Sequence, residues 1–420
     1  MRVVSVNFNR GRSSVVSSIN GRITEGRVLT DSAFPRSTVR QLKDVHNDWE
    51  YITCHDAALY SEFKIQARAV TTARPVLVDY KEALAMSAIS MKSWTSCAVM
   101  IVDSYYCALG YYADKQFHWI REFNYPNSVA LFYSAATRFL GFDPLTEEHK
   151  TVECSQYGLP TYEQLITDKL VHCGDGEYTL LQDFTRGFGT GPLNLDIASS
   201  VQAVFDKVIV SLATWLNNAV QNKHLAYAGR ASANYLTNTK IANSTNFHEI
   251  AIQPLTSYAG AVVGANSLIN RTLFDTVEIG PAYGNNISAD TLAADLLRGN
   301  VIPYVNGRQE FADAPLLNSS WLCIPFGTVT PTYRKLANLT NEWQQPMVVC
   351  QEKDYSTYYE GKQTPYYAQF MSANKQQAVT TNRTHSRVIT TSMSKNAYLN
   401  RVLEVLRAEG YPLLLSSPIK

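Results

Sequence analysis

The N-terminal stretch of the chain carries the alternation of hydrophobic and polar residues that is typical of β-strands. Residues 3–8 alternate, and residues 14–19 form a run that is rich in β-branched side chains. Between that run and Arg22, the pair Asn20-Gly21 supplies the signal for a type I′ turn. Antiparallel strands at the N-terminus, followed by helical patterns, predict an open α/β sheet.

The pattern then switches between buried strands and amphipathic helices. The apolar run 97–102 predicts a buried strand, and 129–140 predicts a helix that Gly141 closes. The clearest helix begins near Asp196, which can cap it, and repeats apolar side chains at helical spacing as far as Leu216. Further predictions are strands near 111 and over 118–123, 224–228, 249–253 and 301–305, helices over 259–269 and 289–299, and a last helix with Leu399, Val402, Leu403 and Leu406 on one face.

A linker-like composition marks residues 270–288, where glycine, proline and asparagine mix, as in Gly280-Pro281. Such residues favour turns and loops over regular elements. A chain of 420 residues is also long for one compact core. We therefore predict two domains, over residues 1–275 and 285–420.

Composition and charge argue against several classes of protein. The chain is 45% hydrophobic with a net charge of +1, so no overall field would attract nucleic acid or an anionic membrane. It lacks a run of about 18 apolar residues and the apolar stretch of a signal peptide, so no membrane span or secretion is expected. The seven cysteines show no CxxC spacing, and we expect reduced thiols in a cytoplasmic protein.

Four segments, in order along essentially the whole chain, resemble the O-carbamoyltransferases of nodulation-factor and aminoglycoside biosynthesis. Residues 128–142 are similar to the family's SLGLxYSAxTxxLGF segment, and 196–216 resemble the helix before its nucleotide loop. Residues 306–311 resemble the xGRxEF that opens its C-terminal signature, and 410–417 resemble its GxPVLLNTS. By these segments the chain is identified as a member of the family by descent.

The resemblance implies a fold and an activity. Such enzymes have a duplicated actin-like/ribonuclease-H-like (ASKHA-type) N-terminal domain, similar to the universal protein that uses threonylcarbamoyl-adenylate, and a smaller C-terminal α/β carbamoyltransferase domain. They convert ATP and carbamoyl phosphate into carbamoyl-adenylate and transfer the carbamoyl group to a hydroxyl. A histidine-bound metal ion, commonly iron, helps to hold the phosphates. Family members usually continue beyond Lys420, so a truncated C-terminal domain is expected.

Most family positions that hold metal and phosphate are changed in this sequence. The three histidines of the HHxAHAxSA motif correspond to Tyr80, Lys81 and Leu84, so we expect the family's iron to be absent. Both arginines of the EFGPRALGNRS signature are gone, at Ala314 and Ser319. Guanidinium groups are the usual clamps for phosphate, so their loss removes expected anion contacts.

The nucleotide motifs are partly kept. In GGVALNxxxN the second glycine is Arg230, which can block a phosphate or donate to one. In EGKVMGLAxYG two glycines are His149 and Glu153, and the acid of QPxxGDxG is Tyr258. The candidate nucleotide contacts are Gly229, Arg230, Asn234, Asn238, Gln253 and Gly260, the candidate catalytic residues are Asp103, Lys150, Arg308, Glu310 and Asn318, and no residue is assigned to a metal.

Three functions stay open at this point. We favour a degenerate member, a pseudoenzyme that acts as non-catalytic or regulatory partner of an intact carbamoyltransferase in a hetero-oligomer, or that forms a homodimer. The alternative is a divergent active O-carbamoyltransferase that uses ATP and carbamoyl phosphate to modify a hydroxyl of a sugar, nucleotide or metabolite, with Lys150, Arg230 and Arg308 on the phosphates. A third function is nucleotide or polyanion binding, unrelated to carbamoylation, by the glycine-rich loop 186–191. A flexible turn explains the glycines of that loop better than a binding site does.

Overall fold

In the computed structural model, the described residues are 1–9, 12–30, 49–55, 58–144, 146–187, 189–256, 258–271, 273–274, 276, 278–280, 282–284, 287–311, 317–325, 346–365, 370–375 and 385–419. Ala314 of the C-terminal signature and Phe188 of the glycine-rich loop lie outside them, as do Pro281 and several other residues of the predicted linker.

The described chain is a mixed α/β protein. Its strands are β1 (Arg2–Asn9), β2 (Arg12–Ile19), β3 (Arg22–Thr30), β4 (Tyr51–Cys54), β5 (Arg74–Leu77), β6 (Cys97–Val102), β7 (Tyr106–Ala113), β8 (Gln116–Asn124), β9 (Val171–Gly174), β10 (Glu177–Leu180), β11 (His224–Ala228), β12 (Glu249–Ile252), β13 (Ala282–Tyr283), β14 (Ile302–Val305), β15 (Gly307–Arg308), β16 (Ser319–Cys323), β17 (Met347–Gln351), β18 (Tyr359–Glu360), β19 (Thr364–Pro365), β20 (Met371–Asn374), β21 (His385–Thr391) and β22 (Leu413–Pro418). Its helices are α1 (Tyr60–Val70), α2 (Tyr80–Ile89), α3 (Val129–Phe139), α4 (Glu148–Ser155), α5 (Glu163–Lys169), α6 (Leu195–Val220), α7 (Tyr235–Ser244), α8 (Tyr258–Asn270), α9 (Ala289–Leu297), α10 (Glu352–Tyr358) and α11 (Ala397–Ala408), and a 3₁₀ turn covers Arg230–Ala233.

Two five-stranded sheets share one topology. The first has the order β3-β2-β1-β4-β5, and the second has the order β8-β7-β6-β11-β12. In each sheet the first three strands of this order are antiparallel neighbours. The third, fourth and fifth strands are parallel neighbours. This repeat of strand order and direction is the duplicated ribonuclease-H-like unit that the resemblance implied.

Helices α2 and α8 lie between these two sheets. Helix α8 packs on β1 and β2 of the first sheet, and α2 packs on β6 and β11 of the second. The helices contact each other at Gly264, where a Cβ atom would lie 1.7 Å from the Ala83 carbonyl oxygen. Only glycine allows so close an approach, so Gly264 sets the distance between the two layers.

Helix α6 covers the outer face of the second sheet. Its side chains Val204, Val208 and Leu212 are fully buried and share one apolar cluster with Leu225 and Tyr227 of β11. By length and composition α6 is also the described helix that would be able to cross a membrane, but 61% of its most apolar window is buried in the fold. In this structure it packs as a core helix.

A third sheet follows in the C-terminal part of the chain. Its strand order is β14-β16-β22-β17-β21-β20-β18, and β19 pairs with β21. Helices α9 and α11 pack together on it, and Leu399, Val402 and Leu403 of α11 bury the face that the sequence predicted. The division into domains at 275 and 285 stays a prediction.

Most predicted elements are confirmed, with the strands 97–102 and 224–228 at their predicted ends. The predicted cap of α6 is wrong. Asn194 is the N-cap, because its extended backbone directs Oδ1 to the amide groups of Asp196 and Ile197 at 2.9 and 3.1 Å. The Asp196 carboxylate instead accepts a hydrogen bond from the Leu159 amide at 2.9 Å.

Candidate functional site

The loop after β11 is pressed against the end of the parallel strand β6. Gly229 has a φ of +93°, and a Cβ atom there would lie 2.5 Å from the Val102 carbonyl oxygen. The chain then makes a 3₁₀ turn from Arg230 and enters α7 at Asn234, whose side chain accepts from the Thr237 amide at 3.2 Å. Glycine is therefore needed to bring Arg230 beside the residue that follows β6.

That residue is Asp103, a buried carboxylate. It accepts hydrogen bonds from the Ser104 amide at 2.5 Å and from the Tyr80 hydroxyl at 3.3 Å. Burial raises the pKa of Asp103, and the nearby positive charge of Arg230 opposes that rise. The predicted catalytic candidate Asp103 and the predicted nucleotide contacts Gly229 and Arg230 thus come together at the carboxyl ends of two parallel strands.

His55 is a functional candidate that the sequence interpretation did not include among the site residues. It follows β4 and is buried, with its ring centroid 5.1 Å from that of Tyr80. Burial lowers the pKa of His55 to about 4, so the imidazole is neutral near neutral pH. The position of His55 directly after a buried strand could have identified it from the sequence, but the short strand β4 was not predicted.

A cavity of about 110 Å³ lies beside the loop. Helices α3 and α4 contribute Ser134 and Glu148, whose side chains are hydrogen-bonded at 2.6 Å. The loop contributes Arg230 and Asn234, and strand β21 of the third sheet contributes Arg387. Two predicted nucleotide contacts therefore share a cavity with an arginine from a distant part of the sequence, which the sequence interpretation missed.

A buried hydrogen-bond network fixes one side of this cavity. The amide of Asn234 donates to Gln202 Oε1 at 3.0 Å, and the Tyr133 hydroxyl donates to the same oxygen at 2.7 Å. Gln202 Nε2 donates to Asp206 at 2.8 Å, and Asp206 forms an ion pair with Lys240 at 2.6 Å. Because each group is tied to the next, the position of Asn234 is set by α6 and α7 together.

Glu153 and Arg387 form an ion pair at the edge of the cavity. The Glu153 carboxylate accepts from the Tyr235 hydroxyl at 2.7 Å and from Gln156 at 3.0 Å, and Arg387 Nη2 lies 3.5 Å from it. The Arg387 guanidinium also stacks 4.8 Å above the Tyr235 ring. Burial raises the pKa of Glu153, and the charge of Arg387 opposes that rise.

Residues 182–267, which contain α6, β11, the loop and α7, match the family described as carbamoyltransferase N-terminus. Over this segment the chain is similar to the carbamoyltransferases. The nodulation protein NolO of Bradyrhizobium diazoefficiens is 24% identical over 295 residues, which are 59% of this chain and 53% of NolO. The Synechocystis protein sll1178 is 27% identical over 285 residues, which are 54% of this chain and 46% of that protein. The chain spans about half the length of the curated relatives that it matches.

Among solved structures, a ROK hexokinase from Thermus thermophilus is similar, with a TM-score of 0.41 and 12% sequence identity over 64% of this chain and 98% of the hexokinase. The duplicated sheet order within this chain, rather than that distant likeness, defines its fold.

Several other predicted site residues make contacts within the fold. Lys150 lies on α4 next to two cavity residues, but its ammonium group pairs with Glu147 at 2.5 Å. Three predicted nucleotide contacts, Asn238, Gln253 and Gly260, lie close to backbone carbonyl groups. Asn238 Nδ2 donates to the Ser232 carbonyl at 2.9 Å, Gln253 Nε2 donates to the Ser87 carbonyl at 3.1 Å, and a Cβ atom at Gly260 would lie 2.1 Å from the Leu255 carbonyl oxygen.

Arg308, Glu310 and Asn318 form a separate cluster next to β3. Arg308 donates to three backbone carbonyls, those of Thr24 at 3.0 Å, Ile279 at 2.8 Å and Gly280 at 3.1 Å. Glu310 Oε1 accepts from the amides of Leu317 at 2.6 Å and Asn318 at 2.5 Å, and Asn318 Nδ2 donates to the Arg308 carbonyl at 3.0 Å. These contacts hold the start of the C-terminal part against the first sheet, and the predicted catalytic roles stay predictions.

The residues at the family's metal motif do not fit an iron site. The Tyr80 hydroxyl bonds to Asp103, the Lys81 ammonium pairs with Glu122 at 2.6 Å, and Leu84 lies in an apolar cluster. No group of three histidine, cysteine, aspartate or glutamate side chains converges in the part of the chain that the structure describes. Lysine and leucine also lack the neutral imidazole that a divalent metal would need there.

Proposed function

We propose that this chain is a degenerate carbamoyltransferase relative that does not form carbamoyl-adenylate and serves as a non-catalytic partner of an intact carbamoyltransferase. One observation carries the proposal. At the family's metal motif, Tyr80 and Lys81 are engaged with the protein's own carboxylates, Asp103 and Glu122. Chemistry at a site depends on its residues rather than on the fold around it, and the fold is what this chain retains.

The contacts of the other retained residues support the same proposal. Arg308, Glu310 and Asn318 hold backbone groups, and Lys150 holds Glu147. A side chain that would bind a phosphate in the transition state must give up such contacts first, which reduces its contribution to catalysis. A cytoplasmic location belongs to the proposal too, and seven free cysteines support it.

A second candidate function is a divergent active carbamoyltransferase that uses ATP and carbamoyl phosphate. The specific observation in its favour is the pair of guanidinium groups, Arg230 and Arg387, that line one cavity. Planar guanidinium groups bind phosphate oxygens in pairs and can offset charge without a metal ion. The acceptor hydroxyl in that case would belong to a sugar, a nucleotide or another metabolite.

Pyrophosphate release separates the two candidates. The full chain is given ATP and carbamoyl phosphate with iron or manganese, beside a protein-free control and an active carbamoyltransferase as positive control. We expect release no higher than in the protein-free control. Release that Arg230→Ala and Lys150→Ala abolish would overturn the non-catalytic proposal. A partner role further predicts that the chain and an intact carbamoyltransferase of the same cell co-sediment as one species; separate sedimentation would contradict it.

A further inference from the structure

The cavity beside Arg230 is built from two distant parts of the chain. Helices α3, α4 and α7 and the 3₁₀ turn supply most of its walls, and β21 supplies Arg387. The third sheet is docked there by further contacts, since the Met371 amide donates to Thr239 Oγ1 at 2.8 Å and Lys362 donates to the His248 carbonyl at 2.9 Å. A ligand in the cavity would therefore touch both parts at once.

We propose that this cavity binds a small oxyanion, a phosphate or a carboxylate group, between Arg230 and Arg387, and that the bound anion fastens the third sheet to the duplicated domain. The inference rests on the proposed function, in which the cavity no longer serves adenylate formation. It goes further by naming the ligand class and by assigning Arg387 to the site.

The geometry of Arg387 suits an oxyanion. Its guanidinium face lies over the Tyr235 ring, and one terminal nitrogen faces Glu153 at 3.5 Å. A guanidinium carries five N–H donors in its plane, so stacking through the face and pairing with Glu153 are compatible with donation to a bound anion. Arg230 lines the same cavity, so two such planar groups border the space that one ligand would occupy.

The size of the cavity favours a small ligand over a nucleotide, and the two arginines of its lining favour an anion. The cavity measures about 110 Å³, whereas sites that enclose larger organic ligands measure roughly 300–1,000 Å³. Glu148, the acidic side chain of the lining, is held by the Ser134 hydroxyl at 2.6 Å. The carboxyls that face the two arginines, Asp103 and Glu153, are buried, and burial raises the pKa of each. The charges of Arg230 and Arg387 oppose these rises, and neither Asp103 nor Glu153 belongs to the lining of the cavity.

The first test is a titration of the full chain with inorganic phosphate, against chloride at equal ionic strength, by calorimetry and by thermal unfolding. We expect saturable binding and a rise in Tm that grows with phosphate concentration. Arg387→Gln should weaken phosphate binding at least tenfold. The matched control is Arg298→Gln, because Arg298 is 71% exposed and pairs with Asp295, and it should leave binding unchanged.

A second pair of variants keeps the test informative if Arg387→Gln does not fold. Arg387→Lys keeps the charge without the planar fork, and Glu153→Gln combined with Arg387→Gln removes both charges together. Both variants should fold. Arg387→Lys should bind phosphate more weakly than the unmodified chain, and the double variant should show no response to phosphate. An unchanged response in the double variant, or no saturable response of the unmodified chain to phosphate or acetate, would overturn the site.

Two further arms identify the ligand and its effect. AMP binding more tightly than inorganic phosphate would overturn the assignment to a small oxyanion, while comparison of phosphate with acetate separates phosphate from carboxylate ligands. Hydrogen exchange at α7 and β20 should slow when phosphate binds, and unchanged exchange would contradict the fastening of the third sheet. Pyrophosphate release in the separate assay would overturn the proposed function without altering the phosphate titration.

Discussion

At Gly229 the backbone conformation, rather than a side chain, sets the geometry of the candidate site. Its φ is +93°, and a Cβ atom would meet the Val102 carbonyl at 2.5 Å and the Asp103 amide nitrogen at 3.1 Å. We predict that Gly229→Ala lowers the free energy of unfolding by about 2–4 kcal/mol, because strain in the backbone and a steric clash act together. Urea denaturation measures the loss.

The matched control for this substitution is Gly299→Ala. Gly299 has a similar φ of +80°, but a Cβ atom there meets nothing within 4 Å. The cost should then be that of the left-handed conformation alone, about 1–2 kcal/mol. Equal losses for the two variants would mean that the loop does not press on β6 as described.

His55 predicts a pH dependence of stability. Burial lowers its pKa from 6.5 to about 4, so between these pH values the unfolded chain binds a proton that the folded chain does not. The unfolded state therefore gains stability as pH falls from 6.5 towards 4, and the fold loses roughly 3 kcal/mol over that window. Unfolding free energies of the unmodified chain and of His55→Gln, measured from pH 7 to pH 4, should converge as the pH falls. A parallel pH dependence of the two would contradict the prediction, and His248→Gln, at an exposed position, serves as control.

The site residues that lie close together in the sequence could be predicted from it, but those that come from distant segments could not. Gly229, Arg230 and Asn234 belong to one short loop, so a motif found them. Arg387 and His55 reach the site through strand pairing and sheet docking, which leave no spacing in the sequence. Lys150 has a retained motif position, but Glu147, the N-cap residue of its helix, pairs with it.

At the scale of elements, the start of α6 depends on the Asn194 side chain. Its Oδ1 accepts from the amides of Asp196 and Ile197, which have no partner within the helix. We predict that Asn194→Ala lowers the free energy of unfolding by about 1 kcal/mol, whereas Asn194→Asp, which keeps the acceptor, has little effect. Thermal unfolding of the two variants measures this. If Asp196→Ala instead lowered the free energy of unfolding more than Asn194→Ala does, Asp196 would be the cap, as the sequence predicted.

Helix α2 shows why some elements escaped prediction. Sequence periodicity reveals a helix when one face is polar, as in α11, whose four buried leucine and valine residues were predicted. Helix α2 lies between a sheet and α8, and each residue from Ala83 to Ile89 is buried. Both faces are apolar as a result, so the sequence carries no amphipathic signal for it.

At the scale of the whole molecule, the duplication is visible in strand order and not in sequence. The two sheets repeat one topology, yet their strands differ in length, as β1 with 8 residues and β6 with 6 residues show. Topology is set by which strands pair, and that information lies in contacts between distant residues. The family resemblance supplied this part of the prediction, because periodicity alone indicated only an open α/β sheet.

The contact between the duplicated domain and the third sheet contains a buried ion pair, Glu153 with Arg387. Their side chains are 3% and 19% exposed, so solvent screens them little. We predict that Arg387→Gln lowers the free energy of unfolding by about 3–5 kcal/mol, because it leaves a buried carboxylate without its partner charge. Adding Glu153→Gln should recover part of that loss, since the remaining groups are neutral and Tyr235 and Gln156 still hydrogen-bond to the new amide.

A double-mutant cycle at these two positions measures the interaction directly. We expect a coupling of about 1–3 kcal/mol, with the double variant more stable than Arg387→Gln alone. The surface pair of Arg401 with Asp290 is the control, because both side chains are more than half exposed, and its cycle should give less than about 1 kcal/mol. Additive losses at Glu153 and Arg387 would mean that the two residues do not face each other in solution. The third sheet would then be held by its backbone contacts to α7, and the cavity would lose the wall that Arg387 provides.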